Sequence, residues 1–424
     1  MLTSNAVAKV HFKAKKAPRV SYASITPRDA TPSGGRGKMF VRNAFAAAYL
    51  GHDVAVVSHQ LSRPVADVEF EDVGTYGGGG RLPQIEHRLA FLEAGSGTGL
   101  ASARADVHQP RALAYDGKRD VLYVAGMGSD EVMALENASQ NSIKAAWQRA
   151  VSEGPGSEMC LPSGLAVADD GDVLANCAGS HRIVRLDANA HELVGRTSSP
   201  GFVAGPVLGR SRLTEEAERG KLIFHLGEDM RVSGGGALAC ASCHPEGRAD
   251  GLSWRIQGST LQTPMLAGRI RGTHPYKWDG GDETIETSLT NTVRRLGGSG
   301  LTVAEANDLR AFLDAMPRPR APSVEDAHAV ERGKALFFGM SGCGDCHSGP
   351  RLTDRQKYDL TKDFPKVDTP SLIGLASSAP YYHDGSAQTL KAALMENGTI
   401  HDMGVTLALS DPQMDDLVAY LETL

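Results

Sequence analysis

Short runs of alternating apolar and polar residues, separated by turns rich in Gly, Asp and Ser, fill the first half of the chain and predict β-strands. Residues 110–135 and 162–187 repeat the order strand, turn, strand, turn, strand, and an earlier copy is expected at residues 37–57. Repeats of about 40 to 50 residues built from short strands are typical of β-propeller blades. We therefore predict an all-β partial propeller over residues 1–205, with roughly four or five blades.

The pattern changes from Leu213 onward to amphipathic helices joined by loops rich in Gly and Pro. This half is duplicated, because Arg219-Gly220-Lys221 and Arg332-Gly333-Lys334 open two copies that carry the same motifs in the same order. The pattern predicts two all-α domains, residues 206–318 and 323–424. Each ends in a helix with capping-box spacing at its start, Thr302 with Glu305 and Ser410 with Gln413.

The composition limits the classes of partner. The chain has 424 residues, 41% of them hydrophobic and 22% charged, and its formal net charge is -6. A charge this small does not indicate nucleic acid as a partner. No run approaches the roughly 18 apolar residues of a membrane span. We expect a multidomain protein, a partial propeller followed by two helical domains, that does not cross a membrane.

Two Cys-x-x-Cys-His strings, at residues 240–244 and 343–347, are the strongest chemical signal in the sequence. In such a string the two thiols form thioethers with a haem and the adjacent imidazole binds the iron. An alternative is one zinc site made from all four cysteines. Because both strings carry the trailing His within a duplicated domain, we predict two covalently bound c-type haems. Their attachment residues are Cys240, Cys243 and His244, and Cys343, Cys346 and His347.

The sixth ligand of each iron decides its chemistry, since a Met/His pair suits electron transfer. Met403 follows His347 and precedes the last helix in a Gly-containing loop, so it is the candidate ligand of the second haem. Met395 and His401 are competitors. The motifs predict a closed, high-potential second haem.

The first copy has no methionine at the equivalent position, which is Arg295. The iron bound by His244 therefore either has an open distal face or takes a ligand from elsewhere, and His274 is the candidate. We predict that the chemistry takes place at this more accessible haem.

Residues 213–424 resemble the bacterial di-haem cytochrome c peroxidase and MauG superfamily, so the two helical domains are expected to be cytochrome c-like. The resemblance rests on both haem motifs, the two Arg-Gly-Lys openings, Trp278-Asp279-Gly280 and residues 380–385. It implies that hydrogen peroxide is reduced at the first haem, with Trp278 relaying electrons from the second, and that a small redox protein is the donor. The first 205 residues resemble a YVTN-type β-propeller.

The sequence departs from that family after Trp278-Asp279-Gly280. The family's Gln and Glu, the latter handling the peroxide proton, are matched here by Ser288 and the region of Gly297 and Gly298. Three further functions therefore stay open besides peroxidase activity. They are electron transfer alone, peroxide-dependent modification of a partner protein that the propeller would present, and partner binding by the propeller with haems that serve only structure or sensing. The candidates for proton transfer or for polarising the distal oxygen are Glu283, Glu286, His274, Arg294 and Arg295.

Three further expectations concern the environment of the protein. The resemblance implies Ca²⁺ between the domains, held by carbonyls of residues 378–380 near Gln262. Haem of this type is normally attached outside the bacterial cytoplasm, so we expect a periplasmic protein whose export signal and first residues precede this chain. Cys160 and Cys177 form either a disulfide or two free thiols.

Overall fold

The computed structural model describes most of the chain, and the account below is limited to those residues. They are residues 6–11, 19–25, 39–63, 85–140, 142–152, 158–188, 201–236, 238–256, 258–359, 366–396, 406 and 408–424. Strands dominate the N-terminal half, which we call the sheet region (residues 6–207), and helices dominate the remainder.

Among the described residues, the sheet region contains one two-stranded hairpin and three four-stranded antiparallel sheets, each in chain order. The hairpin is β1 (Ala6–His11) with β2 (Arg19–Ser24). The first sheet is β3 (Phe40–Gly51), β4 (Val54–Ser62), β5 (Ile85–Glu93) and β6 (Gly99–Arg104). The second is β7 (Pro110–Asp116), β8 (Val121–Gly126), β9 (Glu131–Glu136) and β10 (Lys144–Ala150). The third is β11 (Pro162–Val167), β12 (Val173–Cys177), β13 (Arg182–Leu186) and β14 (Phe202–Val207).

The three sheets are arranged like propeller blades. Strand β7 packs against both β3 and β11, so the first strands of successive sheets lie side by side. Strand β8 shows how the core forms: Leu122 and Val124 enter one apolar cluster, whereas Val121 and Tyr123 enter another. Because alternate side chains of a strand point to opposite faces, this sheet is buried on both sides. The strands predicted at 110–135 and 162–187 are confirmed, and Cys160 and Cys177 form a disulfide.

The C-terminal half contains two helical units, the first at residues 215–315 and the second at residues 327–422. Each also contains a short hairpin, so the units are not purely α-helical as predicted. The first has α1 (Glu215–His225), α2 (Cys240–Cys243), β15 (Ser253–Ile256), β16 (Ser259–Gln262), α3 (Ile285–Arg295) and α4 (Val303–Ala315). The second has α5 (Ala327–Phe338), α6 (Cys343–Cys346), β17 (Lys357–Tyr358), β18 (Val367–Asp368), α7 (Leu390–Glu396) and α8 (Asp411–Glu422). Both predicted capping boxes are present.

The Arg-Gly-Lys openings hold the first and last helices of each unit together. Arg219 on α1 binds both carboxylate oxygens of Asp308 on α4 at 2.8 Å. Gly220 lets the two helices approach, since a Cβ there would lie 2.0 Å from the carbonyl oxygen of Asp308. In the second unit the same contacts are made by Arg332, Asp416 and Gly333.

The sheet region packs directly on the first helical unit. The Gln60 side chain on β4 donates a 2.9 Å hydrogen bond to the carbonyl of Ser242, inside the first haem motif. Gln109 donates to the carbonyl of His225 at 2.6 Å, where α1 ends. These buried contacts join the two parts firmly. Within the described residues, no helix is long and apolar enough to cross a membrane.

Candidate haem sites and the contact between them

The second haem motif lines a cavity of about 270 Å³. The Nδ1–H of His347 donates to the carbonyl of Leu352 at 3.2 Å, which leaves Nε2 free to bind a metal. The walls combine apolar residues of the second unit with residues of the first. They include Cys343, Cys346, Phe337, Leu375, Leu390 and Leu421 from the second unit, and Met265, Arg269 and Trp278 from the first.

The charge of Arg269 indicates whether this cavity fits a haem. Its guanidinium donates from Nε to the carbonyl of Ile373 at 2.6 Å and from Nη2 to the hydroxyl of Ser378 at 3.1 Å. Burial lowers the pKa of Arg269 to about 10. Among the described residues its hydrogen bonds go to neutral acceptors, yet an enclosed cation is stable only beside an anion. A haem propionate would supply that charge, so the cavity fits a haem.

The predicted sixth ligand of this haem, Met403, lies outside the described residues, as does its competitor His401. Thr406, three residues after Met403, lines the cavity, and its hydroxyl donates to the carbonyl of Leu394 at 2.8 Å. The other competitor, Met395, is 59% exposed at the end of α7. An exposed methionine is poorly placed for an internal iron, so Met403 stays the prediction.

The first haem motif lies where the helical unit meets the sheet region. Burial lowers the pKa of His244 to about 4, so its imidazole is neutral, the form that binds iron. Cys243 packs against an apolar cluster that both parts of the protein supply. Phe40 and Ile85 pair with Ser62 from either side of β4 and so share one sheet face. Their partners in the cluster are Leu238, Leu252, Trp254, Ile256 and Leu296.

Two cationic side chains approach this first motif. Lys277 donates from Nζ to the hydroxyl of Thr292 at 2.5 Å and to the carbonyl of Ser288 at 3.2 Å. Its φ of 73° resembles that of Tyr382 (70°), its counterpart in the second unit, which lines the cavity there. Burial, followed by the charge of Arg295, lowers the pKa of Lys277 to about 8. The sequence analysis did not single out Lys277 as a functional residue, although Lys277 directly precedes Trp278 in the duplicated motif.

The structure separates the other candidates for proton transfer. Arg295 lies close enough to Cys243 and His244 for its charge to affect their pKa values. His274, by contrast, is exposed and gains no support from its position. Glu283 and Arg294 are also exposed, and Glu286 forms an ion pair with Arg310 on the outer face. Of the predicted candidates, Arg295 thus lies near the first motif, and the charge of Arg295 acts on Lys277 beside it.

Trp278 lies at the contact between the two helical units. Its indole Nε1–H donates to the carbonyl of Gln262 at 2.8 Å, and its own carbonyl accepts a hydrogen bond from the backbone of Asp368 at 2.8 Å. Trp278 also lines the cavity at the second haem motif. The residue before it, Lys277, lies close enough to His244 in the first motif for its charge to lower the pKa of that imidazole.

The zinc alternative does not fit, and the carbonyls expected to hold Ca²⁺ accept hydrogen bonds within the protein. The Gln262 side chain donates to the carbonyls of Ser378 at 3.2 Å and Pro380 at 2.6 Å, so those oxygens are already paired with an amide. Among the described residues, no group of three or more His, Cys, Asp or Glu side chains could hold a metal ion. The four motif cysteines therefore do not form one site.

The fold and its two motifs define a c-type cytochrome with covalently bound haem c and a sheet region on its first motif. The chain is similar to di-haem cytochrome c peroxidases and MauG, and these relatives support an oxidoreductase of that peroxidase-like type. The family model for cytochrome c matches residues 330–424. MauG of Methylorubrum extorquens, a methylamine utilization protein, is 27% identical over 279 residues, which cover 50% of this chain and 78% of that protein.

Two further similarities involve the same share of the chain. The cytochrome c551 peroxidase of Nitrosomonas europaea is 23% identical over 271 residues, 49% of this chain and 79% of the peroxidase. A structure of hydrazine synthase from Kuenenia stuttgartiensis covers 50% of this chain and 89% of its own, with 22% identity and a TM-score of 0.43.

Proposed function

We propose that this protein reduces hydrogen peroxide at a haem held by the first motif, using electrons from a second haem held by the other. The observation that carries the proposal is the position of Trp278. Trp278 lines the cavity at the second motif, and the residue before it, Lys277, lies close enough to His244 in the first motif for its charge to lower the pKa of that imidazole. A tryptophan in this position suits electron transfer between the two haems. Met403 would complete the coordination of the second iron.

Bound at these motifs, c-type haem supplies an iron that exchanges single electrons and, with an open distal position, breaks the O–O bond of peroxide. Reduction of peroxide to two waters also requires protons, which this chain must deliver. Lys277 is the proposed acid, because its partly buried ammonium is bonded to Thr292 and Ser288 within the first site. Arg295 supplies a fixed positive charge that favours the departing oxygen anion.

Peroxide-dependent oxidation of a partner protein is the second candidate function. The similarity to MauG favours it. In either case we propose a small redox protein as the electron donor and the periplasm as the location. Both functions need a first iron that accepts an external ligand.

The ferric holoprotein tests this requirement by EPR spectroscopy before and after cyanide addition. We expect one low-spin haem that ignores cyanide and one haem whose signal changes with it, together with consumption of peroxide by the reduced protein. Two low-spin haems that respond to neither reagent would show that the protein only transfers electrons.

A further inference from the structure

A second tryptophan, Trp254, lies beside the first haem motif and has an unusual partner. Its indole Nε1–H donates to the Asp250 carboxylate at 3.0 Å and to the hydroxyl of Thr263 at 3.1 Å. Asp250 is 0% exposed, and its other oxygen accepts the backbone N–H of Leu252 at 2.9 Å. The indole is thus bonded to a buried carboxylate.

Trp254 is placed for electron exchange with the first haem. It is 5% exposed and belongs to the apolar cluster that packs against Cys243, a thioether position of that haem. The cluster continues into the sheet region through Phe40 and Ile85. The indole therefore lies between the attachment site and the sheet region.

The carboxylate is more than a hydrogen-bond acceptor. Thr263 alone could accept the indole N–H, whereas burying a carboxylate costs free energy. A negative charge next to an indole stabilises the radical cation formed when the ring loses an electron, and the effect is strong in a protein interior. Burial raises the pKa of Asp250 to about 6, opposed by its hydrogen bonds and by Arg42 on β3, so the group is ionised at neutral pH.

Trp278 offers an internal comparison. Its indole Nε1–H donates to the neutral carbonyl of Gln262. A carbonyl dipole stabilises a positive indole less than a full negative charge does. Of these two tryptophans, Trp254 should therefore be the easier to oxidise.

We propose that Trp254 is an electron donor to the first haem and stores an oxidising equivalent there, an inference that rests on the proposed function. Reduction of one peroxide to two waters removes two electrons from the protein. One of them comes from the indole of Trp254, leaving a radical cation whose Nε1–H proton stays in the hydrogen bond to Asp250, and the other comes from the second haem through Trp278. The radical returns to its resting state by taking one electron from the second haem or from a one-electron donor protein. Trp254 thus gives the first haem a route for electrons that is separate from Trp278.

The test uses the holoprotein, freeze-quenched after one equivalent of peroxide and examined by EPR, with peroxide consumption measured on the same samples. We expect a tryptophan radical in the wild type and in Trp278→Phe, and none in Trp254→Phe. In the nearly isosteric Asp250→Asn the radical yield should fall about tenfold, because the stabilising charge is gone. A radical that persists in Trp254→Phe, or that is unchanged in Asp250→Asn, would overturn the inference.

A second arm removes peroxide from the experiment. A photo-oxidised ruthenium polypyridyl complex with a sacrificial quencher oxidises the same variants directly. If the wild type consumes no peroxide but forms the Trp254 radical under photo-oxidation, the proposed function fails and the redox role of Trp254 stands. If peroxide is consumed and neither arm yields the radical, the inference alone is wrong. Circular dichroism and the Soret band verify that each variant is folded and carries haem.

Discussion

The backbone N–H of Asp368 donates a 2.8 Å hydrogen bond to the carbonyl of Trp278. This bond fixes a residue of the first helical unit to the edge of the second unit's cavity. A relay residue must keep one distance to both haems, because small displacements change the rate of electron transfer. The main-chain bond, together with the indole bond to Gln262, holds Trp278 at both ends.

Trp278→Phe should slow peroxide turnover about tenfold or more, equivalent to about 1.4 kcal/mol in the activation barrier. Phenylalanine lacks the indole and is much harder to oxidise. Stopped-flow spectroscopy should show slower reoxidation of the second haem, with unchanged haem content. The control is Trp147→Phe, which alters a tryptophan that packs on Tyr123 in the sheet region. Equal rates in wild type and Trp278→Phe would exclude the relay.

The pH profile tests Lys277. Its pKa of about 8 means that the ammonium is present below pH 8 and lost above it. If Lys277 is the acid, kcat/KM for peroxide falls as the pH rises through this value. Lys277→Met should have a lower kcat/KM and lose this dependence. Lys391→Met, which removes an exposed lysine paired with Asp415, should retain the wild-type profile.

Spectroelectrochemistry tests the pairing of Arg269 with the second haem. A nearby cation favours the reduced iron, so Arg269→Gln should lower the potential of that haem by on the order of 60 mV, a tenfold change in a one-electron equilibrium. Arg269→Lys keeps the charge and should restore most of the potential. Arg271→Gln, an exposed position two residues away, is the control. No shift in Arg269→Gln would contradict the pairing.

The helix contact in the second unit gives a prediction about stability. A Cβ at Gly333 would lie 1.9 Å from the carbonyl oxygen of Asp416. Gly333→Ala should therefore lower the free energy of unfolding by about 1–3 kcal/mol through overpacking. Chemical denaturation of the holoprotein measures this change. Lys334→Ala alters the exposed neighbouring position and should change the stability by about 0.5 kcal/mol or less.

In the second and third sheets, the sequence predicted the strands that have buried residues at their centre and overlooked the mostly exposed last strand of each sheet. The runs that became β7 to β9 and β11 to β13 were recognised because their apolar residues enter the core. Strands β10 and β14 are mostly exposed, so their residues give no apolar alternation. The described residues contain three four-stranded sheets, whereas roughly four or five blades were predicted over the whole region.

The sequence likewise predicts only part of each haem site. A Cys-x-x-Cys-His motif is local, so the sequence alone predicts which residues attach the haem. The surrounding groups come from distant segments, and only folding brings Arg269 to the second cavity. His274 and Arg295 were equally plausible in the sequence, but only Arg295 lies near the first motif.

The structure also changes the interpretation of the sheet region. The sequence suggested a module that presents a partner protein. The structure adds a second role, because Phe40 and Ile85 pack in the apolar cluster beside Cys243 and Gln60 donates to the carbonyl of Ser242. The sheet region therefore forms part of the surroundings of the first haem motif.

The hydrogen bond from Gln60 to Ser242 has a consequence for biogenesis. Ala241 and Ser242, between the two motif cysteines, are each 1% exposed beneath the first sheet. A maturation enzyme must reach both thiols to join them to the porphyrin vinyl groups, and the docked sheet would block its approach. We therefore expect haem ligation to precede the docking of the sheet region, although that region is synthesised first.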